Sequence, residues 1–167
     1  AISHNVEQGK AILSVQETTP AQPAQCTEVT GPVDLAFLVD SSGSIEELGF
    51  RKSQEYLKDV VSELQVGEAP TDTRVAVVQF SSNGTVEIKL DEGISKEEIN
   101  NAVDKMEFHE GATCPGDGIH KVRKVFDDAR QNAQKMLVIL TDGNPSASQH
   151  CPGNHLSLIH ISEPTRP

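Results

Sequence analysis

The sequence predicts an α/β fold, doubly wound, with a mainly parallel sheet carrying helices on both faces. Two observations predict it. Residues 33–39, 74–80 and 136–140 are short, nearly continuous apolar runs, the texture of strands buried on both faces of a parallel sheet. Between them lie stretches whose apolar residues recur at helical spacing, which gives the alternation of strands and helices that α/β sheets require.

The elements follow in order. Residues 1–32 read as a linker or the tail of a preceding module. The polar, Pro-containing run from Thr18 to Gln25 should be extended, and Ala11 to Val15 could be a last strand of that module. The first core strand spans 33–39, interrupted only by Asp34, and Asp40 follows at its end. A first helix opens with Ser44-Ile45-Glu46-Glu47, a capping-box pattern, and carries Leu57, Val60, Val61 and Leu64 on one face. The strand at 74–80 leads through Ser81-Ser82-Asn83-Gly84, a hairpin turn. Val86, Ile88 and Leu90 then alternate with Glu87 and Lys89, as in a half-exposed edge strand. Ser95 and Glu98 cap a second helix whose buried face is Ile99, Ala102, Val103 and Met106. A third helix, from about Gly116 to Arg130, turns Ile119, Val122, Phe126 and Ala129 inward. The last strand ends just before Thr141-Asp142-Gly143, after which the sequence becomes loop-like. The stretch from Leu156 to Arg166 resembles the in-frame translation of a sequencing-library adapter, so residues 155–167 are set aside from fold reasoning as an artefactual tail.

Composition narrows the function classes. With 14 Lys and Arg against 25 Asp and Glu, the net charge is −11, and no basic stripe exists to neutralise phosphates. Nucleic-acid binding is disfavoured. No apolar run approaches the roughly 20 residues a bilayer-spanning helix needs, so no membrane insertion is expected within this chain. The acidic balance suits either solubility or cation capture. The cysteines are Cys26, Cys114 and Cys151, an odd count whose spacings match no zinc signature. Asn83-Gly84-Thr85 is the one glycosylation sequon, with Asn83 the candidate acceptor.

The chemistry concentrates at two strand ends. In an open α/β sheet, ligands bind beyond the carboxyl ends of the strands, and Asp40 and Asp142 sit at such ends. Asp40 begins Asp40-Ser41-Ser42-Gly43-Ser44, where alternate residues can point the same way, so Asp40, Ser42 and Ser44 can converge. If the strand ending near Asp142 lies beside the one ending at Asp40, two carboxylates and two hydroxyls face one point. Like charges that close need an intervening cation or a proton. All-oxygen ligands suit a hard ion, Mg²⁺ or Mn²⁺, and so few carboxylates leave room for an outside ligand.

Asp40-x-Ser42-x-Ser44 after one strand and Thr141-Asp142-Gly143 after another resemble the von Willebrand factor A domain and its metal-ion-dependent adhesion site. Gly111-Ala112-Thr113 matches the loop from which that family adds a Thr ligand. The resemblance covers roughly residues 33–145, and the order of strands and helices agrees with it. It implies a Rossmann-like fold over 33–154, truncated on its C-terminal side because the family's later strands and helices are missing after Asn144. It also implies Asp40, Ser42, Ser44, Thr113 and Asp142 as direct or water-mediated metal ligands. The partner would be an extracellular-matrix or cell-surface protein presenting a Glu or Asp, and the chain would be secreted or part of an ectodomain, of the matrilin, collagen or integrin kind. Cys26 sits where extracellular relatives place a cysteine paired across the domain base. A Cys114–Cys151 bridge would lie near the metal face. One departure is Cys114-Pro115, which stands where many members continue the Thr loop with a second hydroxyl residue.

Competing readings stand beside this one. Ser44 with Glu47 is explained as a helix cap, Thr113 as a loop residue bonding its own backbone, and Asp142-Gly143 as a turn. None of these explains the others. His109, His120 and His150 read as solvated. A strand-end Asp with Mg²⁺ also suits a phosphoryl hydrolase, but such enzymes usually place a second Asp two residues on, where Ser42 stands and supplies no proton-transfer pKa near neutrality. A Gly-x-Ser-x-Gly elbow is absent. The remaining alternatives are a metal-free A domain serving as a structural spacer and an intracellular scaffold of the same fold.

Overall fold

The computed structural model of the 167-residue chain describes residues 2–7, 10–15, 31–143, 145–146 and 151. Contacts divide the chain into two units, residues 1–30 and 31–167. In the first, β1 (Ile2–Glu7) and β2 (Lys10–Val15) pair antiparallel. Residues 2–7 and 10–15 thus form a strand pair within the stretch that the sequence reads as a linker or the tail of a preceding module. The Pro-containing run at 18–25, Cys26 and the tail at 155–167 lie outside the described residues.

The second unit runs β3 (Val33–Asp40), α1 (Glu46–Glu63), β4 (Arg74–Phe80), β5 (Gly84–Ile88), α2 (Lys96–Lys105), α3 (Pro115–Asp127) and β6 (Gln134–Leu140). Its sheet has the order β5-β4-β3-β6. β3 pairs parallel with both β4 and β6, while β5 returns antiparallel to β4 through the predicted Ser81–Gly84 hairpin.

Because successive strand residues point to opposite faces, β3 and β4 feed two cores. Leu35, Phe37, Val39, Val75 and Val77 face α1 and α2, where they meet Phe50, Leu57, Val61, Ile99 and Val103. Ala36, Leu38, Ala76, Val78 and Phe80 face α3, where they meet Val122 and Val125. Helices cover both faces, which is why β3 and β4 read as unbroken apolar runs. α3 sits close to the sheet because Gly118 has no side chain. A Cβ there would lie 2.8 Å from Leu38 Cδ1 and 2.9 Å from Phe80 Cβ.

Three local expectations need correction. β6 is not buried on both faces: Met136, Leu137 and Ile139 are 39%, 38% and 46% exposed. It is the outer strand of the sheet, and the neighbour that would cover a central strand is absent among the described residues. Val86 is also exposed, while Ile88 and Leu90 are buried. The ladder shifts register between Val77 and Val78, which breaks the simple alternation. Finally, Ser44 does not cap α1. Gly43–Ile45 forms a 3₁₀ turn, Ile45 holds the N-cap position of α1, and neither cap makes a side-chain bond. The second capping box forms as predicted, with Ser95 Oγ accepting from Glu98 N at 3.2 Å.

At the amino-terminal edge of the sheet, the buried Asp34 is neutralised. Arg130 meets it through Nη2 at 2.7 Å and Nε at 2.9 Å. The Arg130 amide donates to its other oxygen at 2.7 Å. The same guanidinium donates to Val33 O and Asp72 O, so one side chain ties the start of β3 to the loop before β4. Arg130→Ala should cost about 3–5 kcal/mol, because it strands a buried carboxylate. Arg51→Ala, which removes an exposed i,i+4 pair with Glu47, should cost no more than about 0.5 kcal/mol. Urea melts of both variants check the contrast, and equal midpoints would show that the Asp34 pair is not stabilising.

Candidate metal site

Parallel pairing brings the carboxyl ends of β3, β4 and β6 to one edge. The β3–β6 register ends at Val39 opposite Leu140, which sets Asp40 beside Thr141. Thr141 Oγ1 donates to Asp40 Oδ2 at 2.6 Å, and Ser42 N donates to Asp40 Oδ1 at 2.8 Å. Asp40 is fully buried. Among the described residues no Lys, Arg or His forms an ion pair with it. β3 therefore carries a buried carboxylate at each end, one neutralised by Arg130 and the other held by two neutral donors.

In the loops that follow, three hydroxyls form a triangle. Ser42 Oγ lies 3.0 Å from Ser44 Oγ, Ser44 Oγ 3.1 Å from Thr113 Oγ1, and Thr113 Oγ1 2.8 Å from Ser42 Oγ. Ser42 and Thr113 are buried, whereas Ser44 is exposed at the rim. The competition between capping and clustering at Ser44 is decided by position: its hydroxyl faces Ser42 and Thr113 rather than the amides of α1. Asp142 follows Thr141 at the end of β6 and is exposed.

The loops are fastened to each other by main chain. Glu110 N donates to Ser41 O at 3.0 Å and Gly43 N to Gly111 O at 2.9 Å, flanking a bridge between Ser42 and Gly111. Ser41 N donates to Phe80 O and Cys114 N to Ser81 O, which ties both loops to the end of β4. Ala112 N donates to Ser82 Oγ at 2.9 Å. Gly111 permits this approach, since a Cβ there would lie 2.6 Å from that same Oγ. Glu46 and Glu110 take positive φ values, 58° and 53°, a conformation that side-chain-bearing residues adopt at a cost. Both flank the hydroxyl loops.

Of the residues that the sequence singles out, Ser42, Ser44 and Thr113 meet through their hydroxyls, Asp40 accepts from Ser42 N, and Asp142 follows Thr141 beyond the end of β6. Cys114 and Cys151 form a disulfide beside Thr113. Asn83 is exposed in the β4–β5 turn. His109 is exposed and His120 partly covered, while His150 lies outside the described residues. No three His, Cys, Asp or Glu side chains converge to hold a metal among the described residues. Sequence reasoning passed over Thr141, Ser82 and Gln79 as site residues. Thr141 was legible as the residue in register with Asp40. Gln79 was hidden inside an apolar run, yet its amide, 1% exposed, donates to Glu107 O at 2.5 Å and pins the approach to the Thr113 loop.

A family model of the von Willebrand factor type A domain matches residues 34–159. The chain belongs to that family. Among relatives of this A domain, the human collagen alpha-6(VI) chain is 38% identical over 66% of this chain and 5% of its own length. Human matrilin-1 is 33% identical over 71% of this chain and 25% of its own. The chain thus spans only a small part of the curated relatives it matches. Among solved structures, proximal thread matrix protein 1 from the mussel byssus, with a zinc-occupied MIDAS motif, aligns with a TM-score of 0.59 and 31% identity. That alignment covers 66% of this chain and 28% of the other. Manganese-loaded TRAP protein of Plasmodium vivax aligns at 0.62 and 25%, covering 72% and 50%. The relatives are extracellular matrix proteins, and disulfides such as Cys114–Cys151 persist in oxidising compartments. The A domain is extracellular.

Gln79→Leu should speed amide exchange across residues 107–113 while leaving α2 protected, with about 1–2 kcal/mol lost overall for an unsatisfied carbonyl. Unchanged exchange in that segment would show that Gln79 does not hold the loop.

Proposed function

We propose that this A domain binds an extracellular-matrix or cell-surface protein through a divalent cation held by Asp40, Ser42, Ser44, Thr113 and Asp142, and that it is not an enzyme. The observation that carries the reading is Asp40: among the described residues, a buried carboxylate with no ion-pair partner, at the start of the loop that carries two of the three hydroxyls. Burying an unpaired charge is costly, and on the same strand Asp34 avoids that cost through Arg130. A cation over Asp40 would do the same.

The donor spacing fits. Adjacent oxygens around an octahedral ion with bonds of about 2.0–2.1 Å lie about 2.8–3.0 Å apart, whereas calcium's longer bonds would spread them to about 3.3 Å or more. The triangle's edges of 2.8–3.1 Å are those of hydrogen-bonded hydroxyls and are compatible with Mg²⁺ or Mn²⁺. Hydroxyls coordinate without adding charge, so a site with few carboxylates keeps an ion receptive to a carboxylate oxygen from a partner's Glu or Asp. The chain's residues supply the rest: Thr141 orients Asp40, and the zipped loops hold Ser42 and Thr113 before any ligand arrives, which reduces what binding must order. The mussel and Plasmodium structures, described as zinc-occupied and manganese-loaded, support a divalent ion at the corresponding place. Ser42 stands where a phosphoryl hydrolase would need its second Asp, and its hydroxyl is taken up in the triangle.

Asp40→Asn separates this from a metal-free spacer. The amide can still accept from Ser42 N and donate to Thr141, so in EDTA the variant should melt at or above the wild type. Saturating Mg²⁺ should then stabilise the wild type alone, by about 2.7 kcal/mol at a hundred times its dissociation constant. A wild-type melt indifferent to Mg²⁺ and Mn²⁺ would refute the metal. In parallel, adhesion to immobilised matrix protein should be EDTA-sensitive and lost in Asp142→Ala. Adhesion that survives both treatments would favour a metal-independent contact.

A further inference from the structure

Thr113 reaches the hydroxyl triangle from a loop whose preceding residues, Glu110 to Ala112, are fastened to the Ser41–Gly43 loop and to Ser82. Its neighbour Cys114 donates its amide to Ser81 O at 3.0 Å. The anchors of Thr113's own backbone come from the segment after β6. Thr113 N donates to Ser146 Oγ at 2.9 Å, and Ser146 N donates back to Thr113 O at 2.9 Å. Both backbone groups of the Thr are thereby occupied by one serine. That serine lies within the 37-residue loop closed by the Cys114–Cys151 disulfide, so the covalent bond fastens the segment to the residue next to Thr113. Cys151 Sγ also lies 3.8 Å from Thr113 O. Those two hydrogen bonds and the disulfide fasten Ser146 and Cys151 to the Thr113 loop.

We propose that the Cys114–Cys151 disulfide and Ser146 are positioning elements for Thr113, and that reduction of the disulfide by a dithiol lowers the affinity of the site for its divalent ion. The inference rests on the metal reading above. The chemistry is a balanced exchange. A reductant thiolate attacks Cys151 Sγ, the less buried of the two sulfurs, and Cys114 leaves as a thiolate that takes up a proton. The reductant's second thiol then closes its own disulfide and releases Cys151 as a thiol. Two electrons and two protons pass to the protein. Loop closure is then lost, and the two hydrogen bonds between Ser146 and the Thr113 backbone must form against the entropy of a longer open loop. Groups that orient metal ligands from behind typically change affinity by about 10–100-fold when removed.

The test is Mg²⁺ titration calorimetry on the whole chain, oxidised, dithiothreitol-reduced, and as the Cys114→Ser/Cys151→Ser double variant, each with and without Thr113→Val. Reduction or the double variant should weaken binding by about tenfold or more with Thr113 present, and change nothing further in the Thr113→Val background. That non-additivity is the signature of action through one residue. Equal affinity in the oxidised and reduced forms, or an equal loss with and without Thr113, would overturn the proposal. Absence of Mg²⁺ and Mn²⁺ binding by the oxidised wild type would instead overturn the metal reading beneath it. Amide exchange of the metal-free reduced protein guards against simple unfolding. Faster exchange confined to residues 112–115 and Ser146 supports positioning, and loss of protection throughout β3 and β4 counts against it.

Discussion

The parallel pairing of β3 with both its neighbours is the constraint on which everything at the site depends. Parallel strands point their carboxyl ends the same way, so Asp40, Ser81 and Thr141 emerge at one edge although they are separated by some hundred residues along the chain. The backbone ladder fixes the register, and a register fixed to one residue sets Asp40 against Thr141 rather than against Leu140 or Asp142. A slip of one position would also exchange the two cores, since the odd residues of β3 face α1 and α2 and the even ones face α3. The packing that stabilises the sheet therefore also aligns the site.

The two buried aspartates of β3 differ in how the fold meets their charge. Asp34 is surrounded by donors and paired with a guanidinium, and its role ends with holding the base of the domain together. Asp40 is equally buried, yet two neutral donors are what the described residues provide. A carboxylate left in that state stores a demand for positive charge. Natural proteins carry such local deficits at functional sites and offset them elsewhere. Here the offset is the two apolar cores flanking the sheet, together with a loop framework in which Ser41, Gly43, Glu110 and Gly111 bond main chain to main chain.

That framework also explains why hydroxyls, usually adaptable, can hold a defined arrangement. Ser42 and Thr113 are buried among neighbours that leave their oxygens within hydrogen-bonding distance of one another. Preorganised donors need no rearrangement when a ligand arrives. Positive φ at Glu46 and Glu110 marks the two places where the chain leaves ordinary conformations to make this possible.

By itself, the sequence determined the order and type of the core elements, the faces of α1, α2 and α3, and the Ser95 cap. Each of these rests on local periodicity or on a motif whose members lie close in the chain. It could not tell Ser44 as a cap from Ser44 as part of a cluster, because both readings use the same residue next to the same helix. Only Thr113, folded in from another loop, decides between them. Nor could it show how the charge of Asp34 is met, because Arg130 reaches it only in the folded chain. The exposure of β6 was equally hidden, since an apolar run specifies a strand but not how many neighbours it has. The tertiary structure settles these points because burial, pairing and charge balance are properties of residues brought together across the fold.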